Sequence, residues 1–148
     1  MKICVITSTR ADFGLLKNLI FELKNNKFFS VKTIASGTHF SKKYGYTYKE
    51  IKESKIKIDE KIFCKFNLTT PKEISQVISK CITQSSKIYK KLQPDLLVVL
   101  GDRYEVLASA LSAHICRIPI AHIHGGEVTR GVLDDAFRHS ITKMAQIH

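Results

Sequence analysis

The fold of this chain is decided by the stretch Leu96-Leu97-Val98-Val99-Leu100-Gly101-Asp102-Arg103. Five consecutive apolar residues that end at a glycine are typical of a strand buried on both faces of a parallel sheet. Asp102 then places a carboxylate at the end of that strand, where open α/β sheets bind their ligands. The stretch therefore predicts a buried parallel strand and a candidate functional group at its carboxyl end.

Strand and helix patterns alternate on both sides of this stretch. Further strands are predicted at 2–9, 29–35 and 118–123, with a more polar one at 56–64. Helical patterns lie at 13–26, 71–93, 103–116 and 134–147, and 44–53 is predicted to be a mixed loop and short helix. The clearest helix begins at Pro71 and ends before Pro94, with apolar side chains at helical spacing. This alternation predicts an α/β fold, a doubly wound parallel sheet that is Rossmann-like, with helices on both faces.

Length and composition limit the class of protein. The 148 residues suit one domain with a single core, and the longest apolar run, at 96–100, is far shorter than the ~20 residues of a membrane span. Residues 2–7 lead into a strand pattern without a signal peptide, so we expect a cytoplasmic protein with no membrane partner. The four cysteines form no C-x-x-C pair and are expected to be small buried apolar side chains.

The net charge of +11 is unevenly distributed along the chain. Residues 1–93 hold 19 bases and 7 acids, whereas 94–148 hold 5 bases and 6 acids. A basic surface can attract nucleic acid. However, all of the early bases except Arg10 are lysines, scattered without arginine clusters or interleaved aromatic residues. Solvated lysine side chains on outer faces are therefore the favoured explanation of the positive charge, and no nucleic-acid partner is expected. An anionic small-molecule substrate is a secondary explanation.

Polar residues follow three of the predicted strands, at 8–14, 101–103 and 122–127, and should meet at one edge of the sheet. In the first segment, Arg10 either binds a phosphate at a helix N-terminus or lies in a turn capped by Thr9 or Asp12. The G-x-G-x-x-G and P-loop spacings are absent. Asp102 is an acid–base group, a helix cap, or both.

The third segment, His122-Ile123-His124-Gly125-Gly126-Glu127, combines backbone freedom with acid–base groups. His122 and His124 stand at alternate positions, and no metal site is expected from this pair. Three residues of extended chain span ~10 Å, so His124 and Glu127 need not face the same atom. Further on, Asp134-Asp135 open the last helix.

Five motifs, taken together and in order, resemble the hydrolysing UDP-N-acetylglucosamine 2-epimerases of sialic-acid and legionaminic-acid synthesis. The motifs are 8–16, 45–47, 101–103, 122–129 and 134–143. The resemblance implies a glycosyltransferase-B-like fold, with an active site between two Rossmann-like halves. Residues 1–148 match the N-terminal domain, so the C-terminal nucleotide-binding domain is expected to be absent from this chain. A full-length homo-oligomer is also expected.

The resemblance further implies a reaction and its residues. UDP is eliminated from a UDP-linked 2-acetamido sugar, UDP-N-acetylglucosamine or UDP-N,N'-diacetylbacillosamine, and water adds to the product to release the free 2-epimer. No metal or redox cofactor takes part. Catalytic positions are Asp102, His124, Glu127 and Asp134, and substrate-binding positions are Arg10, His39, Arg103 and Arg138.

One position departs from the sialic-acid relatives, which tend to have glutamate where this chain has His124. Either the imidazole takes over the acid–base role, or Glu127 does. The histidine form is associated with the branch that acts on N,N'-diacetylbacillosamine nucleotides. Two other functions are weighed against the epimerase: a glycosyltransferase of the same fold and, less favoured, a basic nucleic-acid-binding module.

Overall fold

The computed structural model describes residues 1–64, 70–129 and 133–148. Its elements in chain order are β1 (Lys2–Thr7), α1 (Arg10–Asn25), β2 (Ser30–Ala35), α2 (Tyr48–Glu53), β3 (Glu60–Lys61), α3 (Pro71–Leu92), β4 (Leu96–Leu100), α4 (Tyr104–Ile115), β5 (Ile120–Ile123) and α5 (Leu133–Met144). Two short 3-10 turns, Gly37–Phe40 and Lys42–Tyr44, connect β2 to α2.

The five strands form one parallel sheet in the order β3-β2-β1-β4-β5. The apolar cluster on one face includes residues of α1 and α2, and the cluster on the other includes residues of α3, α4 and α5. The predicted fold class, a doubly wound parallel sheet, is confirmed. Because all strands run the same way, their carboxyl ends meet at one edge, where the predicted site residues follow them.

Strand β1 shows why the sheet is buried on both faces. Cys4 and Ile6 belong to the cluster on the α3 side, whereas Ile3 and Val5 belong to the cluster on the α1 side. Each fully buried side chain of this size stabilises the fold by about 1.5–3 kcal/mol. Since successive side chains alternate between faces, a continuous apolar run contributes to both clusters.

Helix α3 agrees with its predicted bounds because strong local signals delimit it. Thr70 and Glu73 form a capping box, Pro71 occupies the first turn, and Gln93 ends the helix with a left-handed backbone (φ 49°). Its exposed side is polar.

In the ranges that the structure describes, no helix has the length and apolar character that crossing a membrane requires.

Strand β3 is shorter than the predicted 56–64. The carboxylate of Asp59 accepts a hydrogen bond from Thr33 N at 3.0 Å, and Asp59 N donates to Thr33 O at 2.9 Å. The Asp59 side chain thus occupies a ladder position that a backbone carbonyl would otherwise take. Regular pairing is confined to Glu60–Lys61.

The last helix also ends earlier than predicted, at Met144 instead of 147. Beyond it, Gln146 N donates to Ile120 O, and the Gln146 side chain accepts from Ile120 N at 2.8 Å. Ile147 forms an isolated bridge with Ala121. The segment after α5 therefore pairs with the edge of β5, because that edge offers free backbone donors and acceptors.

The prediction that all four cysteines are buried is wrong for two of them. Cys4 and Cys81 are buried, but Cys64 is half-buried and Cys116 is exposed just beyond α4. Cys116 follows the last turn of that helix, so the helical pattern that placed it inward no longer applies.

Candidate active site

Asp102 and Arg138 form an ion pair at the carboxyl edge of the sheet, between Asp102 Oδ2 and Arg138 Nη2. The two side chains are only 19% and 12% exposed. Asp102 is not the cap of α4, because the N-cap position is Arg103. The Asp102 carboxylate is therefore held by a residue of α5 that lies 36 residues further along the chain. The interpretation of Asp102 as a helix cap is wrong.

His124 and Glu127 face each other across the glycine turn. His124 Nδ1 lies 2.9 Å from Glu127 Oε1, and Glu127 Oε2 lies 3.7 Å from Arg138 Nη1. The turn is tight because His124 (φ 62°) and Gly126 (φ 78°) both have left-handed backbones. For a non-glycine residue such as His124 this conformation costs about 1–3 kcal/mol, and such strain concentrates at functional sites. Asp102, His124, Glu127 and Arg138 thus form one group, the acid–base cluster.

His122 joins the segments that carry the acid–base cluster, a function that the sequence analysis missed. Its ring is buried, with Nε2 2.8 Å from Gly101 O and Nδ1 3.0 Å from Thr142 Oγ1. Gly126 N donates to the same hydroxyl at 3.0 Å. Because a carbonyl only accepts, Nε2 carries the proton and donates to Gly101 O, which leaves Nδ1 as the unprotonated nitrogen of the neutral ring. The end of β4, the glycine turn and α5 are thereby fixed to one another.

Gly125 is required by this arrangement. A Cβ atom at this position would lie 2.9 Å from His122 Nδ1 and 3.1 Å from Thr142 Oγ1. Neither atom can retreat without breaking its hydrogen bond. The first glycine of the pair therefore provides space for the His122 network, while the second provides the turn.

Arg103 is held by a second buried acid, Glu105. Arg103 Nε lies 2.5 Å from Glu105 Oε1, and the Glu105 side chain is fully buried. Burial raises the pKa of Glu105, against the opposing effect of the Arg103 charge. In the described residues, the other oxygen, Oε2, has no hydrogen-bond partner. The sequence signal that could have identified Glu105 is an acid on the buried face of a helix.

The first strand end combines a helix cap with an exposed cation. Asp12 accepts from Thr9 N at 2.6 Å and forms a capping box with Thr9. The capping alternative therefore holds for these two residues. Arg10 is 74% exposed and pairs with Glu50 at 3.0 Å, which leaves its predicted phosphate contact untested.

His39, predicted to face the nucleotide or sugar, is fully buried. Its Nε2 lies 2.9 Å from Thr7 Oγ1 and its Nδ1 lies 2.9 Å from Thr47 Oγ1. Both ring nitrogens are thus engaged within the chain, where they connect the end of β1 to the start of α2. A direct contact between His39 and substrate stays a prediction.

Asp134 lies in the first turn of α5, one turn before Arg138. In the described residues, no hydrogen bond or ion pair joins it to Asp102, Glu127 or Arg138. Its neighbour Asp135 instead accepts from Thr129 N at 2.7 Å. The acid–base role of Asp134 stays a prediction.

Two depressions lie beside the acid–base cluster. One, of about 350 Å³, is lined by residues that include Thr9, Arg10, Tyr44 and Arg103. The other, of about 180 Å³, lies between Thr9, Leu15, Asp102 and Arg103. Arg103 borders both, so this edge offers concave space between cations and the Asp102 carboxylate. Among the described residues, no group of three His, Cys, Asp or Glu side chains is placed to hold a metal ion.

The two buried histidines predict a pH dependence of stability. Burial lowers the pKa of His39 and of His122 below the ordinary value of 6.5. Below that pH the unfolded chain binds more protons than the folded chain, so stability is full above about 6.5 and is lost as pH falls toward the lowered values. We expect the melting temperature to fall between pH 7.5 and 5.5. In a His39→Asn/His122→Asn variant this decrease should become smaller; an unchanged decrease would contradict the assignment.

A doubly wound parallel sheet with polar and charged groups at its carboxyl edge defines a Rossmann-like α/β domain. Comparison with solved structures agrees with this class. The chain is similar to the crystal structure of UDP-GlcNAc 2-epimerase from Neisseria meningitidis bound to UDP-GlcNAc, with a TM-score of 0.85 and 22% identity. The match covers 100% of this chain and 40% of that chain, and at this identity it shows the fold.

The family model described as UDP-N-acetylglucosamine 2-epimerase matches residues 21–148. The chain therefore belongs to the UDP-N-acetylglucosamine 2-epimerase family, as its motifs predict.

Two of the curated relatives that match almost the whole chain carry N,N'-diacetylbacillosamine in their names. The GDP/UDP-N,N'-diacetylbacillosamine 2-epimerase (hydrolyzing) of Campylobacter jejuni is 42% identical over 147 residues, which are 99% of this chain and 38% of the relative. The UDP-N,N'-diacetylbacillosamine 2-epimerase (hydrolyzing) of Legionella pneumophila is 31% identical, over 99% of this chain and 39% of the relative. The chain thus spans about two-fifths of the length of these relatives.

Proposed function

We propose that this chain supplies the acid–base half of a hydrolysing 2-epimerase, which converts a UDP-linked 2-acetamido sugar to the free 2-epimer and UDP. The observation that carries the proposal is the acid–base cluster, where α5 and the glycine turn bring charged groups to Asp102. Residues 1–148 would form the N-terminal Rossmann-like domain, and a C-terminal domain would hold much of the nucleotide. The length of the relatives supports this division.

The reaction requires two acid–base groups. Inversion at C2 means that a proton leaves one face of the sugar and another is added to the opposite face, and one group cannot reach both. Asp102 and the His124–Glu127 pair would supply the two groups. Glu127 accepts from Nδ1 of a protonated imidazole and so stabilises the charge that His124 gains with the proton.

Departure of UDP requires cations near the diphosphate. When the C1–O bond breaks, negative charge increases on the leaving group, and arginine side chains stabilise it through paired N–H donors. Arg10 and Arg103 border the same depression. The Glu105 carboxylate holds Arg103 through Nε. The two terminal nitrogens of Arg103 would then bind the diphosphate. Water then adds across the C1–C2 double bond: its oxygen bonds to C1, and a second acid–base group delivers a proton to the opposite face of C2.

We take N,N'-diacetylbacillosamine as the first candidate for the sugar. Both curated relatives described above carry that sugar in their names, which agrees with histidine at position 124. UDP-N-acetylglucosamine is the second candidate, because the Neisseria meningitidis structure contains it. We extend the proposal to a cytoplasmic homo-oligomer that uses no metal or redox cofactor and contributes to sialic-acid or legionaminic-acid synthesis.

We expect residues 1–148 alone to show no measurable turnover, because half of a cleft neither excludes water nor holds the diphosphate.

A chimera in which residues 1–148 replace the matching part of the Campylobacter jejuni relative should release UDP and a free 2-epimer. A coupled UDP assay and NMR of the sugar measure both products. Robust turnover by residues 1–148 alone would contradict the two-domain proposal. Transfer of the sugar to an added acceptor, without a free epimer, would favour the glycosyltransferase.

A further inference from the structure

Two cysteine side chains from separate segments lie against each other beside α3. Cys64 follows β3 and is half-buried, whereas Cys81 lies within α3 and is fully buried. Their sulfur atoms are 3.0 Å apart, and both are free thiols. Neither belongs to the acid–base cluster, and the proposed reaction uses neither.

A neighbouring side chain holds the Cys64 segment on the helix. Phe63 N donates to Gln84 Oε1 at 3.0 Å, and Gln84 Nε2 donates to Phe63 O at 2.9 Å. Gln84 lies three residues after Cys81, on the same side of α3. Both backbone polar groups of Phe63 are therefore fixed, and the adjacent Cys64 is held with its sulfur against Cys81.

We propose that Cys64 and Cys81 form an oxidisable dithiol, which a hydroperoxide converts into an intramolecular disulfide. The Cys64 thiolate attacks a peroxide oxygen, the O–O bond breaks, and the leaving hydroxide takes up a proton as water, so that Cys64 becomes a sulfenic acid. The Cys81 thiol then attacks the Cys64 sulfur: the S–S bond forms, the S–O bond breaks, and the thiol proton leaves with the hydroxide as a second water. Hydrogen peroxide is reduced and the two thiols are oxidised.

The surroundings of the two thiols agree with these roles. The hydrogen bond from Cys81 lowers the pKa of Cys64, against the opposing effect of burial. The same hydrogen bond, together with burial, raises the pKa of Cys81. Cys64 is thus the thiolate that a peroxide reaches, and Cys81 is the sheltered thiol that resolves it. A disulfide of ~2.05 Å requires the sulfurs to approach by only about 1 Å.

The test treats the 148-residue chain with hydrogen peroxide, alkylates the remaining thiols and maps the peptides by mass spectrometry. We expect the loss of two hydrogen atoms, a peptide cross-link between Cys64 and Cys81, and reversal by dithiothreitol. Cys64→Ser and Cys81→Ser should each abolish the cross-link, whereas the matched control Cys116→Ser should keep it. A cross-link to Cys116, a disulfide only between molecules, or a sulfinic acid on Cys64 without a cross-link would overturn the proposal.

A second variant tests how the Cys64 segment is held. Gln84→Leu removes the two hydrogen bonds to Phe63 and the contact of 3.8 Å from Gln84 Nε2 to Cys64 Sγ, but leaves both thiols in place, so we expect cross-linking to slow several-fold. Circular dichroism confirms that the variant is folded. Rates equal to those of the parent chain would overturn the role of Gln84 in holding the dithiol.

Discussion

In the chimera of residues 1–148 with the remainder of the Campylobacter jejuni relative, Asp102→Asn will lower UDP release about 100-fold or more. The substitution keeps the shape of the side chain but removes its charge and its capacity to take up a proton. The fall should appear in kcat more than in KM, because the lost interaction belongs to the transition state. UDP release measured over a range of substrate concentrations separates the two constants.

The matched control is Asp95→Asn, the same chemical change just before β4. Asp95 Oδ2 accepts from Lys2 N at 2.7 Å, so this carboxylate is also hydrogen-bonded but lies at the opposite edge of the sheet. We expect near-normal turnover there. Asp102→Asn also leaves Arg138 without its main partner and so lowers the free energy of unfolding. Breaking a fully buried ion pair costs about 3–5 kcal/mol, and the cost here should be smaller because both side chains keep some exposure. Near-normal turnover of a folded Asp102→Asn chimera would assign Asp102 a structural role only.

His124→Gln and Glu127→Gln will each lower turnover of the same chimera by roughly 100-fold. The contact of 2.9 Å between His124 Nδ1 and Glu127 Oε1 makes the two side chains one unit. Once either member is lost, the other can no longer act as it did. The double variant should therefore be only slightly slower than the slower single variant.

His139→Gln is the matched control for this pair. His139 is a half-exposed histidine on α5 that lies 3.6 Å from Asp135, outside the acid–base cluster. Its variant should keep near-normal turnover. If the two single effects multiplied in the double variant, His124 and Glu127 would act independently. If turnover were unchanged in both single variants, the glycine turn would have no part in the reaction.

The fold could be predicted from the sequence because its determinants are local. The run 96–100 and the capped helix that begins at Pro71 each specify their element without information from elsewhere in the chain. Parallel strands then place Gly101 and the His122–Glu127 segment at one edge. The exceptions, β3 and the end of α5, depend on the side chains of Asp59 and Gln146 replacing backbone partners, and no periodicity encodes such replacements.

The acid–base cluster could be predicted as a set of residues but not as a set of contacts. Asp102 and Arg138 are 36 residues apart, and the packing of α5 against α4, together with the His122 hydrogen bonds, brings them together. The left-handed backbone of His124 turns an extended spacing into a contact with Glu127. The burial of His39 and Glu105 depends on the surrounding structure, because the same residue types are usually exposed.

Solvent deuterium at C2 of the released sugar tests whether this chain takes part in proton exchange at C2 during hydrolytic epimerisation. The chimera is incubated in deuterium oxide with UDP-N,N'-diacetylbacillosamine and, separately, with UDP-N-acetylglucosamine, and the sugar is examined by NMR. We expect free sugar of inverted C2 configuration that carries one deuterium at C2, together with UDP, and loss of both products in Asp102→Asn. Release of sugar that retains its original C2 configuration and its C2 proton would contradict this expectation.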